Sequence, residues 1–385
     1  MRLWIEHAHQ SLFGGEVCRD VVRTFQTEDQ FFAILASGPR GRGEGRVKAA
    51  LIADSAASML EQGISLDIVM EAVLDVLPDD EHVPFAILQI LEGGKAYVVE
   101  CDAPPLFMAR GGQLVLLPVL EGISHGRLVR TCGFSLQDGD HVAMVSEGYI
   151  RAKGWSRRWG WRDIAIATRR WTDTGCDADQ LLGALIRTYR RLAEGVAYEQ
   201  DVTVVSMHVR PMCTATVWAG PPADPALDEA ALGKLMAEPG KRIICGGTTA
   251  QVAARLLGAE LELEPRPAYG ADAEHPWAEV PPTHRLEGVD LVTEGLVTLG
   301  KARERIAGMK GAHDLPGGRD GADRLARALL SADRIRFIVG LAINPAVGQA
   351  GTWVDGRIVP PRQTVVEALI KDLKAQGKLI SVDYV

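Results

Sequence analysis

Residues 31–45 read FFAILASGPRGRGEG. Phe31 to Ala36 is an apolar run of strand length, and it empties into a glycine-rich turn. A strand end of this kind is where many enzymes place a carboxylate, yet the turn opens with Ser37-Gly38-Pro39. The stretch upstream, EVCRDVVRTFQ, also reads as a strand, so residues 1–36 are predominantly β. Downstream, RVKAALIADSAASMLEQG (46–63) has alanine and leucine at helical spacing, with Gly63 as a stop. A second helix, SLDIVMEAVLDVLP, follows, with Ser65 as its cap and Pro78 as its end.

Strands then return. VPFAILQILEGG, KAYVVECDAPP, LFMARGGQLVLLP and DHVAMVSEG are each bounded by Gly, Pro or Asp. The Gly-Gly pairs at 93–94 and 111–112 suit tight hairpins. A helix over about 178–195 leads to the strand DVTVVSMHVR, 201–210. Strands, two helices, strands, helix, strand is the order of an antiparallel β-sandwich flanked by helices, an α+β arrangement. After about residue 213 the pattern changes to alternating strand and helix, from KRIICGG and TTAQVAARLLG to the closing KLISVDYV. A smaller α/β layer domain is expected there. The expected domains are 1–212 and 213–385.

The 385 residues carry a net charge of −8, with 47% hydrophobic and 24% charged residues. This composition fits a soluble globular chain with two cores and offers no basic footprint for nucleic acid. The apolar stretches are strand-length, too short to span a bilayer. MRLWIEHAHQ carries charges and histidines, so it does not read as a signal peptide. Six cysteines lie scattered without close pairs. That spacing argues against zinc and against a disulfide framework, and for free thiols in a cytoplasmic setting.

Four stretches place polar chemistry at strand ends: GGEVCRDVV (14–22), ASGPRGRGEG (36–45), VSEGYI (145–150) and EQDVTVV (199–205). Strand-end carboxylates can converge on hard divalent cations, and two such ions can activate a water for attack on phosphorus. In order and content this set resembles the metal-dependent type 2C serine/threonine phosphatases, and within them the branch of stage II sporulation protein E. The resemblance implies hydrolysis of phosphoserine or phosphothreonine on a partner protein, with Mg²⁺ or Mn²⁺ at one end of the sandwich. It places Asp20, Glu147 and Asp201 as candidate metal ligands. Ser37 and Gln200 stand at two positions where the family carries aspartate, Glu147 replaces a third aspartate, and Arg19 replaces the glycine before Asp20. Two lost charges predict weakened or lost activity. Ser37 also suits a turn cap, and Asp20 and Asp201 suit strand-edge positions.

In the second half, Gly246, Gly247, Thr248 and Thr249 join a strand to a helix and form a candidate phosphate turn, or an ordinary threonine-capped turn. The lysine of a P-loop and the full GxGxxG spacing are both absent. Asp290, Glu294 and Asn344 are expected to share a pocket with this turn. Three functions follow: an active phosphatase in bacterial signalling, a pseudophosphatase that binds a phosphorylated or regulatory protein partner, or a sensor with a small-molecule ligand in the C-terminal domain. Homodimerisation is left open.

Overall fold

A computed structural model describes residues 2–39, 44–77, 82–151, 160–193, 200–265, 280–309, 311–315, 317–318, 320–342, 352–354, 357–359 and 362–385. The chain divides into two compact units, Met1–Pro211 and Met212–Val385.

The first unit runs β1 (Leu3–Leu12), β2 (Asp20–Gln26), β3 (Gln30–Ser37), α1 (Glu44–Glu61), α2 (Leu66–Asp75), β4 (Phe85–Leu91), β5 (Lys95–Cys101), β6 (Phe107–Arg110), β7 (Gln113–Val115), β8 (Leu120–Ser124), β9 (Arg127–Ser135) and β10 (His141–Val145). It continues with α3 (Glu147–Ile150), α4 (Trp161–Thr172), α5 (Ala178–Leu192) and β11 (Val202–Pro211). Two antiparallel sheets result, in the orders β1-β11-β10-β6-β7 and β2-β3-β4-β5-β9-β8.

The run FFAILA explains the layering. Side chains alternate across a strand, so an unbroken apolar run needs cover on both faces. Phe31, Ala33 and Leu35 pack between the sheets against Val142, Met144 and Val205. Phe32, Ile34 and Ala36 face the other way, onto Ala49, Ile52, Ala53, Ala56 and Leu60 of α1. On the outer face of the first sheet, Leu181, Leu185 and Tyr189 of α5 meet Ala143 and Val204. The unit is therefore a sandwich with a helical layer on each side, an α+β fold.

The Gly-Gly signals land in hairpins. Gly111 and Gly112, at φ +52° and +67°, form the two-residue turn between Arg110 and Gln113. Ser65 stands at the N-cap of α2, but its side chain makes no capping bond. Helix α4 is an addition to the sequence reading. Its charged sequence turns only a narrow stripe inward, including Ile164, Ala165, Thr168 and Thr172.

Helix α5 is fixed by a reciprocal cap, the Gln180 N–H donating to Asp177 Oδ1 at 2.8 Å and the Asp177 N–H to Gln180 Oε1 at 3.1 Å. Asp177→Ala is expected to cost about 1 kcal/mol, read as a lower midpoint in urea unfolding.

The second unit runs β12 (Thr214–Ala219), α6 (Asp228–Ala237), β13 (Lys241–Cys245), α7 (Gly247–Leu257), β14 (Glu262–Leu263), β15 (His284–Leu286), β16 (Val289–Thr293), α8 (Leu296–Ile306), α9 (Gly321–Ser331), β17 (Arg334–Val339), β18 (Thr352–Val354), β19 (Arg357–Val359), α10 (Arg362–Ala375) and β20 (Leu379–Tyr384). Its main sheet has the order β14-β15-β16-β13-β12-β17-β20. Within it the five strands β16, β13, β12, β17 and β20 are parallel. Counted along the chain, they stand third, second, first, fourth, fifth, a doubly wound order. Helices cover both faces. Trp218 and Ile244 pack on α6 and α7, while Val217 and Phe337 pack on α8, α9 and α10.

Among the described residues no helix is long and apolar enough to cross a membrane.

Candidate functional site

One end of the first unit's sandwich gathers the residues singled out in the sequence. Asp20 opens β2 and stands opposite Ser37, the last residue of β3. Gly38 needs its bare Cα, because a Cβ there would lie 2.0 Å from the Gly45 carbonyl oxygen. In the other sheet Ser11 stands opposite Thr203, their hydroxyls 2.8 Å apart. Ser146 leaves β10 and locks to β11, its Oγ accepting the Thr203 N–H at 2.8 Å. Gly148 then packs on the start of β11, where a Cβ would meet the Asp201 carbonyl oxygen at 2.1 Å and the Gln200 side chain at 3.1 Å. The SEG and QD motifs thus touch.

The carboxyl groups have different fates. Asp20 is only 6% exposed, and its Oδ2 has no hydrogen-bond partner. Burial pushes its pKa up to about 6, against the hydroxyls of Thr203, Ser37 and Ser146, which favour the charged form. Asp201 is committed to Arg19. It accepts the Arg19 backbone N–H at 2.6 Å, Nε at 3.0 Å and an Nη at 3.2 Å. Glu147 pairs with Arg151, the residue that follows the same short helix, and His82 approaches it at 3.9 Å.

Two divalent cations would need several unpaired carboxylates at this end of the sandwich. Asp20 supplies one buried carboxylate oxygen with a free lone pair, as a ligand should. Asp201 and Glu147 each already hold a guanidinium, and a guanidinium stays protonated at any physiological pH. Ser37, Ser11, Ser146 and Thr203 are neutral. Among the described residues no group of three or more His, Cys, Asp or Glu side chains is disposed to hold a metal. The residues present do not fit a two-metal centre. What they form is a single acid in a nest of hydroxyls, next to an internal ion pair. The residue that sequence reading undervalued is Arg19. It registers there only as a missing glycine, whereas in the fold it occupies a carboxylate that a metal would need.

In the second unit the carboxyl end of β13 turns into α7 through Gly246, at φ +134°. The Gly246 N–H donates to the Thr293 carbonyl at 2.9 Å. Thr248 is exposed and Thr249 is buried. Glu294 comes to this turn, its Oε1 3.3 Å from the position of a Gly247 Cβ. Asp290 does not, and its expected place beside the turn is corrected. It lies at the opposite, amino end of the sheet and accepts the Arg242 N–H at 2.8 Å. The two acids stand four positions apart along a parallel strand, enough to carry them to opposite ends. Asn344 lies outside the described residues.

Over about half its length the chain is similar to solved type 2C phosphatase domains. One solved structure it matches is the phosphatase domain, with a fragment of the regulatory domain, of the cell-fate determinant SpoIIE from Bacillus subtilis, at 16% identity and TM-score 0.45. That match covers 54% of this chain and 64% of the other, so it spans less than two thirds of the SpoIIE fragment. A second is the pair of RsbU and RsbW domains of a Mycobacterium tuberculosis protein, at 15% identity and TM-score 0.46, covering 60% of this chain and 67% of that one. A third is the catalytic domain of the phosphatase PstP, solved with two manganese ions, at 17% identity and TM-score 0.39, covering 54% of this chain and 100% of that one. No family profile and no curated protein matches the chain.

Proposed function

We propose that residues 1–212 are a phosphatase-fold binding module of a bacterial signalling protein, acting on a protein partner by association and not by two-metal hydrolysis. The observation that carries this reading is the Arg19–Asp201 pair, three hydrogen bonds onto a carboxylate that is 8% exposed. A divalent cation would have to displace a half-buried guanidinium from a buried carboxylate, and breaking such a pair is costly. Without a metal, the ionised Asp20 end of the sandwich repels a phosphoryl group, so the partner is not gripped there by its phosphate. An apolar face elsewhere on the unit supports a protein partner. Beside α2 a groove of about 920 Å³ is lined by Ile64, Leu66, Met70, Tyr97, Val99 and Leu120. Leu120 is 75% exposed and Ile123 of the same edge strand 73%. Exposed apolar surface of this extent marks interaction sites. The six free cysteines, five of them buried, accord with a reducing cytoplasmic setting.

The test is turnover and metal binding by the full chain. With Mn²⁺ and an aryl phosphate or a phosphothreonine peptide, the protein is expected to show no chelator-sensitive hydrolysis and no calorimetric Mn²⁺ binding. A variant carrying Arg19→Gly, Ser37→Asp, Glu147→Asp and Gln200→Asp should bind Mn²⁺. Chelator-sensitive turnover by the unaltered chain would overturn the proposal.

A further inference from the structure

The second unit gathers a separate set of polar groups, independent of the first unit's chemistry. In a doubly wound parallel sheet, ligands bind outside the carboxyl ends of the strands where the order reverses. Here the reversal falls at β12, flanked by β13 and β17. The three strand ends around it are kept bare. Gly220 follows β12 at φ +86°, and a Cβ there would collide with the Arg362 guanidinium. Gly246 follows β13, and a Cβ there would reach the Gly220 nitrogen at 4.0 Å and Thr249 Oγ1 at 3.0 Å. Gly340 follows β17, and a Cβ there would lie 2.0 Å from the Pro221 carbonyl oxygen. The room each missing Cβ leaves is taken by the Arg362 guanidinium, the Thr249 hydroxyl or the Pro221 carbonyl, so the glycines let these groups close in around the strand ends.

Two groups at this point are incompletely matched, one without a counter-charge and one without a hydrogen bond. Arg362, the first residue of α10, is half-buried against Gly220 and donates an Nη N–H to the Gly340 carbonyl at 2.8 Å. Among the described residues no carboxylate pairs with it. Other half-buried arginines of the unit are neutralised: Arg305 by Asp320, Arg324 by Glu264 and Arg336 by Asp383. Burial also depresses the Arg362 pKa, the mark of a cation without a counter-charge. The second group is the Thr249 hydroxyl, fully buried in the first turn of α7 and without a hydrogen-bond partner. The intrahelical bonds of α7 begin with the Ala250 N–H on the Gly246 carbonyl, so the preceding amides of this eleven-residue helix point outward, as an anion requires. Glu294 beside Gly247 adds a carboxylate, which rejects a second anionic group and accepts a hydroxyl.

We infer that this strand-end crevice binds a phosphorylated sugar, its phosphate between Arg362 and the head of α7 and a sugar hydroxyl on Glu294. Calorimetry on the full chain with ribose 5-phosphate, inorganic phosphate and ribose tests it. Ribose 5-phosphate should bind with a Kd near or below about 1 mM, and inorganic phosphate about tenfold more weakly. Ribose alone should give no heat. Arg362→Gln should weaken ribose 5-phosphate about tenfold or more, and Arg362→Lys should recover part of that, because a lysine keeps the charge without the fork. Glu294→Gln should erase the preference for ribose 5-phosphate over inorganic phosphate, whose own affinity should rise as the repelling carboxylate is removed. If Arg362→Gln does not fold, Thr249→Val supplies the same reading through the α7 head. Absence of binding by both phosphate compounds, or unchanged affinity in well-folded Arg362 and Thr249 variants, would overturn the site. Equal affinity for phosphate and ribose 5-phosphate would overturn the sugar assignment.

Discussion

Asp20→Asn should make the first unit more stable at pH 7.5 by about 3 kcal/mol and leave it nearly unchanged near pH 4. The Asp20 carboxyl has an ordinary value of 3.8 and a folded value of about 6. Each unit of difference corresponds to about 1.4 kcal/mol of differential interaction. The sign follows from proton counting. The folded chain binds this proton more tightly, so between pH 3.8 and 6 it holds a proton that the unfolded chain has released. The stabilisation is complete below the unfolded value, falls as pH rises through the window, and is gone above the folded value. At neutral pH the wild-type chain therefore buries a charge that asparagine does not carry. Paired thermal and urea melts from pH 4 to 8 would show the two curves diverging as pH rises. Curves that stay parallel, or a less stable Asp20→Asn protein at pH 7.5, would refute the account. The same experiment reports on metal, because a cation would select the ionised acid and raise the wild-type stability at pH 7.5. None is expected with Mn²⁺ at about 1 mM, given the single free carboxylate.

The layers of the fold were legible because they rest on period and punctuation. FFAILA, the alanine face of α1 and the Gly-Gly hairpins each express a local rule, and burial on both sides of β3 is what an unbroken apolar strand means. The strip from residue 151 to 177 was less legible. Helix α4 buries two threonines among its few inward residues, so its apolar signal is faint. The site was half legible. Sequence order identified Ser37, Glu147 and Gln200 as altered positions beside a retained Asp20, but pairing is a three-dimensional property. Arg19 and Asp201 are 182 residues apart in sequence, and only the meeting of β2 with the start of β11 joins them. Asp290 and Glu294 show the same limit in reverse. They are neighbours in sequence, yet strand direction carries one to each end of the sheet. Arg362 gave no signal at all, since an arginine at a helix start is unremarkable until the glycines around it are seen to have made room.

The largest loss of stability is expected from Arg19→Ala. Removing one member of a buried ion pair leaves the other charge without compensation, at about 3–5 kcal/mol. Asp201 is the buried partner, 8% exposed against 24% for the Arg19 side chain. The cost therefore falls on the carboxylate. It should sit near the lower end of that range, because the backbone N–H of residue 19 still donates to Asp201. Asp201→Asn should cost less, since Arg19 can turn its charge to water while the amide oxygen keeps the backbone bond. The double variant should be more stable than Arg19→Ala alone, because it no longer buries an unpaired charge. Urea unfolding of the four proteins gives the cycle directly. A loss under about 1 kcal/mol for Arg19→Ala would mean that the pair is solvated in practice and too weak to exclude a cation. Mn²⁺ separates the two roles of the arginine. If Arg19 holds the site shut by occupying Asp201, its removal leaves Asp201 and Asp20 as two uncompensated carboxylates that repel each other, and Mn²⁺ should restore part of the lost stability in Arg19→Ala while doing nothing for the wild-type chain. Equal response of the two proteins to Mn²⁺ would show that Arg19 is a structural brace and that the neutral Ser37 and Gln200 are what keep metal out.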